Sequence, residues 1–263
     1  IKSMTKDELK NLMTELGEKP FRAKQIYSWL HEHLVTSYDE MGNIPGKLKE
    51  KLKDYPIAAL EMVDEQVSAI DGTRKYLFRL SDGNVIESVL MRYKHGNSVC
   101  ISSQVGCRMG CRFCASTLDG LERNLRPSEM LDQIYQIQRD TGERVSNVVV
   151  MGSGEPLDNY DNLIRFIHLL TEEGGLHISQ RNVTVSTCGL VPKIRELADQ
   201  GLTITLALSL HAPNDEVRKS LMPIARTYAL KDVLAVCHYY FEKTGRRMTC
   251  LLYTSPSPRD ISG

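Results

Sequence analysis

No apolar run in this 263-residue chain approaches the roughly 18 residues that a helix needs to span a bilayer. No secretory signal opens it either, so neither a membrane-embedded nor an exported protein is expected. An excess of one charge is also missing. The 33 basic residues balance 33 acidic ones, so no global field announces a polyanionic partner. Affinity for a nucleic acid would have to come from local patches. The cysteines do not form a disulfide framework, because seven is an odd number and three crowd into one short segment. That usage fits a reducing, cytoplasmic setting. What is present is ordinary globular material, 41% hydrophobic, at a length that suits one large domain with a small attachment.

Residues 1–55 read as a small helical module. Thr5-Lys6-Asp7-Glu8 starts a helix with Leu9, Leu12 and Met13 at helical spacing and Gly17 as its stop. A second helix carries Phe21, Ile26, Trp29 and Leu30, and a third begins near Pro45. The third presents Lys47, Lys49, Lys51 and Lys53, read first as a solvated face and second as a phosphate-binding patch, since glutamate and leucine interrupt them. Residues 56–97 turn to short strands, with a hairpin formed by 75–80, a turn at 81–84 and a return over 85–91. A strand at 98–103 follows. Helices and strands then alternate: helix 127–140, strand 147–151, helix 160–172, strand 183–186, a helix from Pro192, strand 203–208 and helix 230–243. The continuous apolar run at 147–151 suits a parallel strand buried on both sides. The repetition predicts a parallel βα barrel, open or closed, with functional loops at the C-terminal strand ends.

The clustered cysteines, Cys107, Cys111 and Cys114, stand at spacings of four and three residues in Gly106-Cys107-Arg108-Met109-Gly110-Cys111-Arg112-Phe113-Cys114. Three thiolates can ligate three irons of a [4Fe–4S] cube, whereas a fully ligated electron-transfer cluster takes four. The open iron implies another ligand. Gly106 and Gly110 let the backbone wrap closely around a cofactor. The alternative is structural zinc, which wants four closed ligands. His95 could complete that set, although it lies twelve residues before Cys107 and across a predicted strand.

Other candidates fall at later strand ends. Gly152-Ser153-Gly154-Glu155-Pro156-Leu157 follows the second parallel strand, and a carboxylate there can bind an ammonium or simply cap a helix. Ser186 ends the next strand, and Ser209-Leu210-His211 ends the one after. Each of these residues, taken alone, also suits an ordinary polar role.

The cysteine spacing, with Phe113 before the last cysteine, resembles the CxxxCxΦC signature of the radical S-adenosylmethionine (SAM) enzymes. In that superfamily SAM chelates the open iron, and its reductive cleavage yields a 5′-deoxyadenosyl radical. Gly-Glu-Pro-Leu-Asp-Asn from Gly154, Val-Ser-Thr-Cys-Gly-Leu-Val-Pro from Val185 and Leu-Ser-Leu-His-Ala-Pro-Asn-Asp ending at Asp215 resemble the RlmN/Cfr family of RNA methyltransferases. So does the segment from Pro20 to Trp29. The resemblance covers about residues 4–249.

It implies a truncated, partial parallel (βα) radical-SAM barrel of α/β class, with a small N-terminal helical domain and a β-hairpin connection. The cofactors would be a [4Fe–4S] cluster held by Cys107, Cys111 and Cys114, and SAM held by Gly154, Glu155, Ser186, Ser209, Leu210 and His211. Cys100 matches the family's thiol that resolves a protein–RNA adduct through a transient disulfide, and Glu87 matches its proton acceptor. On residues alone, Cys100 is a buried strand cysteine and Glu87 an outward polar residue. Cys188 and Cys237 match no catalytic element. The implied activity is methylation of adenosine C2 in ribosomal RNA and tRNA through a methylated cysteine, with C8 methylation as the Cfr-type alternative. A monomer reduced by a flavodoxin or ferredoxin is implied. A zinc-stabilised RNA-binding module, or radical-SAM chemistry of another kind, are the competing functions.

Two departures stand out. Ser153 occupies a position where the family usually has methionine. Residues 250–263 carry Pro256 and Pro258, which would break a central strand. They resemble one translated frame of a transposase sequencing adapter rather than native sequence. The barrel, at 98–249, is then expected to be incomplete and to lack the methyl-carrying cysteine, so that full turnover fails. Cys250 is no substitute for it.

Overall fold

The computed structural model describes residues 1–252, so Pro256 and Pro258 lie outside the described residues. Helix α1 (Lys6–Glu15) opens with a capping box. The Thr5 hydroxyl accepts from the Glu8 N–H at 3.2 Å, and the Glu8 carboxylate accepts from the Thr5 N–H at 2.8 Å. Leu9, Leu12 and Met13 form its buried face. α2 (Phe21–His31) and α3 (Gly46–Leu52) complete the helical module. Three strands follow, β1 (Glu61–Val67), β2 (Arg74–Arg79) and β3 (Val85–Tyr93), as an antiparallel meander.

The next strand, β4 (Gly96–Ile101), pairs antiparallel with β3 on one edge. A small antiparallel pair, β5 (Gln104–Gly106) and β6 (Leu121–Asn124), then brackets the cysteine loop. After α4 (Pro127–Thr141), strand β7 (Val145–Val150) pairs parallel with the other edge of β4. The parallel series continues through α5 (Tyr160–Thr171), β8 (Val183–Thr187), α6 (Val191–Asp199) and β9 (Thr205–Ser209). It ends with α7 (Asp215–Leu221), α8 (Leu230–Thr244) and β10 (Met248–Leu251). The result is one 8-stranded sheet in the order β1-β2-β3-β4-β7-β8-β9-β10, open among the described residues. The parallel ladder continues beyond Thr249, because Cys250 and Leu251 pair with Leu208 and Ser209 of β9.

Alternation assigns the two faces. Val99, Ile101, Val148, Val150, Val183, Val185, Leu206 and Leu208 are fully buried beneath the helices. Cys100, Ser186 and Ser209 occupy the opposite, inner face: Cys100 shares a row with Val149, Thr184 and Thr205, and Ser186 and then Ser209 lie progressively nearer the C-terminal strand ends. Cys250 stands opposite Leu208 and therefore faces the helix layer, where it neighbours Cys237 of α8.

The helical module is tied down by buried polar contacts. Lys2 Nζ lies 2.6 Å from Asp132 Oδ1 on α4, both side chains only 1% exposed. The same carboxylate accepts the Leu60 N–H at 2.6 Å, and His31 Nδ1 meets the Tyr135 hydroxyl at 2.7 Å. Asp132 thus joins the chain start, the approach to β1 and α4. Removing one partner of a buried pair strands the other charge, which costs about 3–5 kcal/mol. Asp132→Ala should lose about that much in urea unfolding, and Lys2→Met combined with Asp132→Leu should recover most of it.

Candidate cofactor site

The site begins where β4 and β7 end side by side. The Ile101 carbonyl accepts the Gly152 N–H at 2.9 Å, and the Ser102 hydroxyl accepts the Ser153 N–H at 3.0 Å. The Ser153 carbonyl accepts from the N–H groups of Ser103 and Gln104 at 2.9 and 3.1 Å. Gln104, fully buried, closes the seam by accepting the Glu155 N–H at 2.8 Å. Gly154 has φ +105°, and a Cβ there would come within 2.6 Å of the Gln104 side chain. Only glycine fits this crossing.

Glu155 is delivered inward and is 4% exposed. Its oxygens accept from the Cys188 N–H at 2.8 Å and the Leu157 N–H at 3.1 Å. Burial raises its pKa and the N–H donors offset part of the rise. Among the described residues no basic side chain pairs with it. A buried carboxylate in that state suits a ligand that brings a cation. Cys188, which matches no catalytic element, helps hold it, since its thiol as well as its N–H engages Glu155.

The cysteine loop faces this carboxylate. Gly106, at φ +71°, starts it so closely that a Cβ would sit 2.0 Å from the Gly120 carbonyl oxygen. That carbonyl accepts the Cys107 N–H at 2.8 Å. Thr117 fastens the other end, donating its hydroxyl to the carbonyls of Cys111 and Cys114 at 3.1 and 2.9 Å. Burial pushes the Cys111 thiol up to about 12, with Cys107, Cys114 and Glu155 adding repulsion. Cys107 is raised for the same first reason. Thiols so placed ionise when a metal supplies the opposing charge.

Among the described residues no three His, Cys, Asp or Glu side chains form a group suited to a single metal ion. A cube takes one thiolate per iron, so its ligands need not converge on one point. His95 stacks on Tyr93 at 5.2 Å, before β4, while the cysteine loop lies beyond the other end of that strand. The six residues of β4 separate them by roughly 20 Å, so His95 does not complete a zinc set. A cavity of about 130 Å³ opens between loop and carboxylate, lined by all three cysteines, Gly154, Glu155, Ser186 and Ser209. The donor set and the cation-seeking carboxylate fit an iron–sulfur cluster beside an amino-bearing cofactor.

Leu210 and His211 sit at the rim rather than in the lining. Their N–H groups donate to the Leu251 carbonyl at 3.1 and 2.9 Å. His211 adopts φ +57° and meets the Phe113 ring edge-on at 4.6 Å. Cys100 lies on the inner face of β4, half-buried, with its pKa raised by burial. All seven cysteines are free thiols, so the disulfide associated with Cys100 is not formed. Glu87 lines a second cavity of about 520 Å³ that shares Ser153 and Gly106 with the cysteine loop, and it pairs with Lys75 at 2.6 Å. Ser153 accepts from the Ser116 hydroxyl at 3.2 Å, a polar link where a thioether is usual. The α3 lysines are partly engaged within the protein. Lys49 reaches the Asp39 carbonyl, Lys51 the Leu16 carbonyl and Lys53 the Glu50 carboxylate. Sequence reasoning assigned no role to Met109 and Met151, although both lie within or beside quoted motifs, and it missed Gln104, Met222 and Arg218, which belong to none.

An open sheet with a three-cysteine loop at the end of its first parallel strand and a glycine-framed carboxylate at the next defines a radical SAM enzyme. The sequence profile of the Radical SAM superfamily matches residues 101–256, and that of the Ribosomal RNA large subunit methyltransferase N-terminal domain matches residues 1–57. The probable dual-specificity RNA methyltransferase RlmN of Lachnospira eligens is 67% identical over 250 residues, covering 95% of this chain and 71% of the relative. That of Lachnoclostridium phytofermentans is 63% identical, covering 95% and 70%. A radical SAM methyltransferase from Sphaerobacter thermophilus superposes with a TM-score of 0.90 at 42% identity, over 95% of this chain and 74% of that one. The chain belongs to the RlmN family of radical SAM methyltransferases.

Gly106 tests the frame. Gly106→Ala combines a left-handed φ with a backbone clash and should cost about 1–3 kcal/mol in thermal or urea unfolding. Gly17→Ala, at the same φ but with nothing within 4 Å of the added Cβ, should cost only about 1 kcal/mol.

Proposed function

We propose that this chain is the cofactor-binding part of a SAM-dependent RNA methyltransferase that adds a methyl group, through a methylated cysteine, to C2 of adenosine in large-subunit ribosomal RNA and in tRNA. The observation that carries the reading is the cavity, in which Cys107, Cys111, Cys114, Gly154, Ser186 and Ser209 gather around the buried Glu155 carboxylate, which has no basic partner among the described residues. Cys107, Cys111 and Cys114 hold the cluster. Glu155 receives the amino group of SAM, while Gly154 keeps the backbone close enough to seat it. Ser186, Ser209, Leu210 and His211 hold the rest of the molecule. Bound together, the cluster and SAM supply the electron and the hydrogen-abstracting radical that an unreactive ring carbon requires.

The remaining roles belong to the protein's own side chains. Glu87, in the adjoining cavity, takes the proton released from the base, and Lys75 keeps its carboxylate oriented. Cys100, on the inner sheet face, resolves the protein–RNA adduct. Cys250 faces α8 and does not carry the methyl group. RNA is engaged by the helical module and the barrel rim. The protein works as a cytoplasmic monomer with a flavodoxin- or ferredoxin-type reductant, and no described helix is long and apolar enough to cross a membrane.

The test joins this chain to the C-terminal segment that its longer relatives possess. Anaerobic incubation with methyl-labelled SAM, reductant and unmodified ribosomal RNA should place label at adenosine C2. Replacing Cys107, Cys111 and Cys114 with alanine should abolish it. Label at C8, or SAM cleavage with no label in RNA, would overturn the assignment.

Glu155 adds a pH signature. As pH falls through its raised pKa the carboxylate takes a proton and loses its hold on an ammonium. SAM binding measured by calorimetry should weaken on the acid side at a higher pH than an ordinary carboxylate would give. Glu155→Gln should lose about 1.5–3 kcal/mol of affinity and the acid-side dependence with it. A wild-type acid limb lying no higher in pH than an ordinary exposed carboxylate gives would contradict this assignment.

A further inference from the structure

Behind the cysteine loop, away from the cavity lining, lies a cation that the mechanism has not used. Arg218 projects from α7, is 0% exposed, and is among the largest fully buried side chains of the protein. Its Nη2 donates to the Cys188 carbonyl at 2.6 Å. Its Nε and Nη1 are buried without a hydrogen-bond partner. Gly189, at φ +103°, makes the space, since a Cβ there would stand 3.1 Å from Nη2. A guanidinium cannot shed its proton to escape such a setting, so burial with two unmade hydrogen bonds is destabilising until an anion arrives.

The surroundings narrow the choice of anion. The groups able to carry negative charge that act on Arg218 are Cys188, Cys111, Asp215 and Cys237. Asp215 accepts the Leu230 N–H at 2.7 Å, and the Cys188 thiol is turned to Glu155. Cys237 lies on α8, away from the cavity. Cys111 is the one member of this set that belongs to the cysteine loop, and it packs with Cys188 and Met222 in one small cluster. The helix that carries Arg218 is also fastened to the cysteine loop, because the Leu221 carbonyl accepts the Arg112 N–H at 2.9 Å. A molecule occupying the cavity would be shielded from Arg218, which does not line it.

We propose that Arg218 is a positioning residue for the iron–sulfur cluster, supplying from behind Cys111 the buried positive charge that offsets its thiolate ligands and makes the cluster easier to reduce. This rests on the cluster reading of the cysteine loop. A cube held by three thiolates is anionic and becomes more so when it accepts an electron from the reductant, so a fixed cation favours the reduced form.

The experiment compares wild type, Arg218→Met and Arg218→Lys, reconstituted anaerobically with iron and sulfide in the absence of SAM and RNA. Iron per chain is measured first, then the reduced-cluster signal is followed by electron paramagnetic resonance in a redox titration. Arg218→Met should show about a tenfold lower reduced-to-oxidised ratio at the wild-type midpoint, equivalent to ~59 mV for one electron, and Arg218→Lys should recover most of it. A methionine variant that titrates with wild type overturns the proposal. If that variant holds too little iron to titrate, iron retained by the lysine variant supports the charge requirement, and equal loss in both overturns it. Wild-type protein that assembles no cluster at all would instead refute the reading of the loop, and the role of Arg218 would fall with it. The iron-free chains give an independent check. Arg218→Met should unfold there at equal or higher urea than wild type, whereas a clear loss of stability would mark the arginine as structural and overturn the proposal.

Discussion

The seam between β4 and β7 is the constraint on which the site depends. β4 follows antiparallel rules towards β3 and parallel rules towards β7, so its end is the point where the meander becomes a βα series. The hydrogen bonds from Ile101 to Gln104 onto the loop at Gly152–Glu155 extend that pairing past the strands themselves. One strand end therefore launches the cysteine loop and sets the height of the carboxylate opposite. A shift of one residue would turn Cys100 and its neighbours to the helix side and remove Glu155 from the cavity.

The electrostatics around that seam are unbalanced by design of the fold. Thiols and a carboxylate are gathered where burial disfavours their charged forms, and each is pushed towards neutrality. Such a site has little affinity for water-like neutrality once a cationic metal core enters, because the loss of protons and the gain of coordination reinforce each other. Folding stability and cofactor loading are thereby coupled through the same few groups, with backbone N–H donors supplying the part of the balance that the protein can provide alone.

Much of this was legible before the structure. Thr5 and Glu8 announce α1, the apolar run at 147–151 announces β7, and the cysteine spacing announces the loop. What stayed hidden depends on distant segments. α7 is too short for periodicity to declare itself, and Arg218 sits in a charged run, Asp215 to Lys219, that reads as surface. Its burial is created by Cys188 and Gly189, across a separation of 30 residues in the case of Cys188. Lys2 likewise reads as a solvated residue until α4 brings Asp132 over it. The α3 lysines read as an exposed basic series, and the partners of Lys49 and Lys51 at Asp39 and Leu16 follow from tertiary packing. β5 and β6 are too brief to show alternation, although they define the mouth of the cysteine loop.

The buried contacts around Asp132 carry a mechanical implication. A module joined to its neighbour by a flexible tether searches space, and whatever it grips arrives at variable distance. Here the chain start, the approach to β1 and α4 are locked to one carboxylate, and His31 and Tyr135 add a second bolt on the same helix. The helical module therefore behaves as a gauge fixed to the frame. Motions of the helical module relative to the sheet are thereby suppressed, and the distance between its surface and the cavity is set by the fold.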